Sequence, residues 1–148
     1  METYKEIKDY LNNNSFLNDR LTIDISPVSN FGNEDLIKAL DAYVVSLGLK
    51  PIRYDWNELK ENTAEQYLTE ILHKGLAYGN EIMNKHTAKH ISEKFISLFG
   101  QYNCKFFSNG EIEPDSKGWS ELTDSTSDFG VVVVGKEWIG LICVEDED

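Results

Sequence analysis

Long apolar runs are missing from this chain of 148 residues. No stretch approaches the roughly 18 apolar residues that a membrane-spanning helix requires. The opening Met1-Glu2-Thr3-Tyr4-Lys5-Glu6 has no basic region leading into an apolar one, so no secretory leader is expected there. Cysteine is scarce as well. Cys104 and Cys143 are too few for a disulfide framework and read as reduced, strand-buried small apolar residues, which points to the cytoplasm. Basic residues are short of acidic ones, 14 against 26, which argues against a chain that grips nucleic acid or an anionic membrane by charge. What the chain has instead is a hydrophobic fraction of 41% with seven Tyr, seven Phe and three Trp. That is enough for a core and argues against disorder.

The acidic excess is unevenly placed. Residues 1–50 carry eight acidic and five basic groups, residues 51–110 seven of each, and residues 111–148 eleven acidic against two basic. A field so concentrated steers a basic protein towards it and repels phosphates.

The patterning predicts an α+β fold in one domain spanning 1–148, a helical N-terminal half packed on an antiparallel sheet formed largely by the C-terminal third. Thr3 and Glu6 make a capping-box pattern ahead of Ile7, Tyr10 and Leu11, a short helix ending near Asn12. Leu21–Ile25 alternates as a strand does. Asn33 is placed to cap a second helix whose Leu36, Ile37, Leu40, Tyr43, Val44 and Leu47 form an apolar face up to Gly48. Residues 52–56 fit either an edge strand or an ordered loop. Thr63 and Gln66 open what reads as one long helix reaching Ile82, and Ala88 to Phe99 reads as another. Beyond Gly100 come strand-like residues 104–108, with Asn109-Gly110 as a tight hairpin turn. The apolar runs 130–134 and 138–144 follow as a further hairpin joined by Gly135-Lys136-Glu137. Strands this apolar need cover on both faces.

Catalytic and metal-binding patterns are incomplete. His86 and His90 share a helical face, but Thr87 stands where a zinc metalloprotease has its Glu and no third ligand follows. Asp124-Ser125-Thr126-Ser127-Asp128 spaces oxygens as a calcium loop does, yet Phe129 occupies the glycine position and Gly135 the place of the closing Glu. Asp128-Phe129-Gly130 lacks every other kinase element. There is no Gly-x-Ser-x-Gly elbow and no phosphate-binding glycine fingerprint. No cofactor, no metal and no enzymatic activity are therefore expected.

The acidic constellation around Trp119 is the candidate site. Glu111, Glu113 and Asp115 precede Trp119, and Glu121, Asp124 and Asp128 follow it. Carboxylates around an exposed indole suit the Arg and Lys side chains of a basic partner. The closing Glu145-Asp146-Glu147-Asp148 reads as a solubilising tail.

Residues 119–134, Trp119 to Val134, running on to 140–148, together with Ile71-Leu72-His73-Lys74-Gly75-Leu76-Ala77-Tyr78, resemble small bacterial immunity proteins of polymorphic-toxin and contact-dependent growth inhibition systems. The resemblance implies a cytosolic protein that binds a cognate toxin domain and blocks it. Many such proteins are acidic because their partners are basic nucleases. The alternative is an acidic phosphate mimic that inhibits a nucleic-acid-binding enzyme, with a small metal-dependent enzyme ranking below both.

Overall fold

A computed structural model describes residues 2–32, 35–112 and 117–147, apart from the side chain of Lys117. The chain begins with α1 (Glu2–Asn12), β1 (Leu21–Pro27), α2 (Leu36–Ser46), β2 (Asn57–Leu59), α3 (Glu61–His73) and α4 (Lys85–Ser97). It continues with β3 (Lys105–Ser108), β4 (Gly110–Ile112), β5 (Lys117–Trp119), β6 (Ser127–Val134) and β7 (Trp138–Asp146). Short 3-10 turns at Val28–Phe31 and Arg53–Asp55 link some of these elements.

The fold is α+β. A five-stranded antiparallel sheet runs in the order β1-β7-β6-β3-β2, and β4 and β5 form a small second sheet. The β6–β7 hairpin is the centre of the large sheet, with all of 128–133 and 139–144 buried. Both faces of these strands are covered, which is why their sequence runs apolar instead of alternating. Phe129, Val131 and Val133 point to α1, α3 and α4, where they meet Leu11, Leu68, Ile71 and Phe95. Val132, Leu141 and Cys143 point to α2 and the 49–56 segment, against Leu40, Tyr43, Val44 and Trp56. Each fully buried aliphatic side chain of this kind contributes about 1.5–3 kcal/mol.

Several sequence expectations need correction. Helix α2 is capped by Asp35, which accepts from the Ile37 N–H at 3.0 Å and from Lys38; the expected cap, Asn33, lies outside the described residues. The expected long helix stops at His73. Beyond it the chain doubles back, with the Ile82 N–H donating to the His73 carbonyl and the Gly75 N–H to the Asn80 carbonyl, both at 2.8 Å. Gly79 turns there at φ 69°, a conformation that favours glycine, so Tyr78 ends at the surface instead of on a helical stripe. Asn109-Gly110 is not a hairpin turn. Neither residue has a positive φ, and the chain passes there from β3 in the large sheet to β4 in the small one.

The C-terminal carboxylates are likewise more than a tail. Glu145 and Asp146 continue β7, paired with Asp128 and Ser127. Asp146 is 3% exposed and accepts from the Ala77 N–H at 3.0 Å, with Arg20 Nε at 3.6 Å. Asp148 lies outside the described residues. Cys143 is buried as expected, whereas Cys104 is half-buried just ahead of β3, its Sγ 3.3 Å from the Phe99 carbonyl. Burial pushes both thiols above their ordinary pKa, Cys143 well above it.

Candidate functional site

Helix α2 shapes one wall of a surface cleft. Its Asp41 accepts from the backbone N–H groups of Ile52 and Arg53 at 3.1 Å, and from Trp56 Nε1 at 2.8 Å. These bonds hold the 3-10 turn and keep Arg53 at φ 54°, a conformation costly for a non-glycine residue unless its surroundings fix it. Asp55 is thereby presented at the surface, next to Tyr54, which is 89% exposed.

The opposite wall is the β4–β5 sheet, where Gly110 pairs with Trp119. A Cβ at Gly110 would run into the Gly118 carbonyl oxygen, so glycine is required for the two short strands to approach. Asn57 Nδ2 donates to the Gly110 carbonyl at 3.2 Å and ties this sheet to β2. Between the walls lies a cleft of about 490 Å³, lined by Asp55, Trp56, Glu111 and Trp119 among others. Its size falls within the range of ligand-binding clefts. Ser120 Oγ donates to Asp55 Oδ2 at 3.0 Å across the two walls.

A buried polar hub holds the β5 side in place. Asp128 is 1% exposed. Its carboxylate accepts from the N–H groups of Leu122 (3.2 Å) and Thr123 (3.0 Å), from Thr123 Oγ1 (2.8 Å) and from Asn109 Nδ2 (2.8 Å). Asn109 also donates to the Ser120 carbonyl at 2.9 Å, and its Oδ1 accepts from the Gly130 N–H at 2.9 Å. The Ser120 N–H returns a bond to the Asn109 carbonyl at 2.7 Å. Every donor in this set has its acceptor, the condition under which a buried polar network fixes one conformation.

The seven residues picked from the sequence therefore separate. Asp128 is a correction: its carboxylate is enclosed and engaged, so it offers no surface to a partner and instead positions the segment that follows Trp119. The calcium-like spacing that ends at Asp128 begins in a Ser/Thr turn, in which Thr123 Oγ1 accepts from the Ser125 N–H at 3.1 Å, and runs into β6. Glu121 and Asp124 are exposed but share one cation, Lys50, whose Nζ lies 3.8 and 2.6 Å from them. The hydrogen bond to Asp124 holds the Lys50 ammonium above its ordinary pKa and draws the Asp124 carboxyl below its own. Glu111 is exposed and Trp119 is 38% exposed, both lining the cleft. Glu113 and Asp115 lie outside the described residues.

Asp55 was missed because its partners are distant in sequence. Ser120 lies 65 residues away and comes into reach only through the fold. The sole local signal was an acidic residue between two aromatics, Tyr54 and Trp56.

His86 and His90 are exposed on α4. Among the described residues, no group of three or more His, Cys, Asp or Glu is arranged to hold a metal ion. No helix among them is long and apolar enough to cross a membrane. No family model, no curated protein and no solved structure matches the chain.

Proposed function

We propose that this chain is a cytosolic immunity protein, a binding protein rather than an enzyme, that neutralises a basic toxin domain, with a nuclease as the toxin class its charge suits best. The observation that carries the reading is the cleft at Trp119. A half-exposed indole stands there beside Asp55 and Glu111, and neither carboxylate has a cation partner among the described residues. Protein interfaces draw most of their affinity from a few aromatic and arginine anchors in desolvated pockets, while surrounding charge sets rate and orientation. Carboxylates on this face would stand where substrate phosphates lie on a nuclease, and so keep substrate from it.

Co-expression with the C-terminal domain of the protein encoded immediately upstream tests the reading. The expected result is rescue of growth, together with nanomolar one-to-one binding by calorimetry. Failure to bind, or binding lost entirely at moderate salt, overturns it. Inhibition of several unrelated DNA-binding proteins with a steep salt dependence would move the function to phosphate mimicry.

A further inference from the structure

We infer that the Trp119 cleft reads arginine: the anchor it takes from its partner is a single arginine side chain, stacked on Trp119 with its guanidinium held by Asp55 and Glu111. The inference rests on the binding reading above and specifies its chemistry.

The first reason is what the cleft offers. The side-chain donors along it are largely spent, Asn57 on the Gly110 carbonyl, Asn109 on Ser120 and Asp128, and Trp56 on Asp41. Acceptors remain. Asp55 uses only Oδ2, for the Ser120 hydroxyl. Among the described residues Oδ1 has no hydrogen-bond partner, and the bond to Oδ2 orients it. Glu111 is exposed and has no ion-pair partner among the described residues. A site whose carboxylate acceptors outnumber its uncommitted side-chain donors suits a ligand that only donates, and guanidinium has five N–H groups and no acceptor.

The second reason is the indole. A planar, delocalised cation stacks on an aromatic face and sheds water more readily than an ammonium does. Arginine can therefore use Trp119 and the carboxylates together, whereas lysine engages them as a point charge. Lys50 is committed to Asp124, and no ion pair among the described residues engages Asp55 or Glu111, which leaves both carboxylates for an incoming group.

The probe is N-acetyl-arginine methylamide, titrated into the isotope-labelled full chain and followed by NMR. The lysine and citrulline methylamides serve as controls, citrulline being the neutral counterpart of arginine. Saturable shifts are expected at the Trp119 indole N–H and at the Glu111 and Gly118 amides, with lysine weaker and citrulline without effect. The Asp55→Asn, Glu111→Gln double variant should bind the arginine probe about tenfold or more weakly. Trp119→Leu, which keeps an apolar side chain, should also weaken it. Equal response to citrulline, shifts confined to other surfaces, or undiminished binding by a folded double variant overturns the inference. If the double variant neutralises the toxin with unchanged affinity, the arginine site falls and immunity stands. If the arginine probe fills the cleft and no toxin binds, immunity falls and the site stands.

Discussion

At Lys50 the turn 121–124 closes on a cation from the far side of the chain, while across the Trp119 cleft Asp55 and Glu111 have no ion-pair partner among the described residues. Both patches are acidic and exposed. They differ in whether folding brings a basic side chain over them. Lys50 arrives because its N–H donates to the Leu122 carbonyl at 2.8 Å, which sets its ammonium beside Asp124. Among the described residues no cation lies within ion-pair distance of Asp55. The first patch is thus paired within the molecule, whereas the carboxylates of the second have no such partner among the described residues.

The strongest perturbation of this contrast acts on the hub beneath both patches. Asp128→Ala leaves the buried N–H groups of Leu122 and Thr123 without their acceptor, and a loss of about 3 kcal/mol or more in denaturant-induced unfolding is expected. Asp128→Lys should not yield folded protein, since it buries an unpaired ammonium among donors. Full stability in either variant would show that the hub does not order the cleft.

Trp119→Ala should act chiefly on binding. Partner affinity is expected to fall by about 2 kcal/mol, roughly thirtyfold, with a smaller lowering of the melting temperature from the part of the indole that is buried. Helix α2 supplies a gentler test. Tyr43 Oη donates to Asp24 Oδ2 at 3.0 Å, and burial, reinforced by the Asp24 charge, raises its pKa far above the ordinary tyrosine value. A raised folded-state pKa means that its stabilisation is complete below the unfolded value of about 10 and is lost as pH rises beyond it. Tyr43→Phe should cost about 1 kcal/mol at neutral pH and flatten the alkaline fall in stability, as unfolding curves between pH 8 and 11 would show.

The smallest effects belong to the closed patch. Asp124→Asn should leave stability unaltered, because exposed ion pairs contribute little. The Asp124 carboxyl should nonetheless titrate below the ordinary value of about 3.9, so by NMR the pair persists above that range and opens as pH falls through the lowered pKa. Lys50→Gln releases two carboxylates from their cation and should speed association with a basic partner a few-fold at low salt.

Much of the scaffold was legible because periodicity follows local chemistry. The β6–β7 hairpin stands out as two apolar runs around Gly135, and α2 and α4 as amphipathic stretches. The failures share one cause, which is that contacts between distant residues decided the local outcome. Helical spacing from Thr63 to Ile82 gave no sign that Asp146 would hold the Ala77 N–H. Asn109-Gly110 looked like a turn because its partners, Ser120, Asp128 and Gly130, lie in later segments. The acidic stretch revealed where carboxylates are dense but not their state: Asp124 and Asp128 are four residues apart, one on the surface and one enclosed. Trp119 and Glu111 could be picked from that stretch, whereas Asp55 required the fold.

Calorimetric titration of the upstream-encoded toxin domain with the wild-type chain and with the Asp55→Asn, Glu111→Gln variant, at low and moderate salt, tests the central claim most directly. Tight one-to-one binding by the wild type, weakened about tenfold or more in the variant at both salt concentrations, is the predicted result. Equal affinities for the two proteins would contradict it and place the interface elsewhere on the surface.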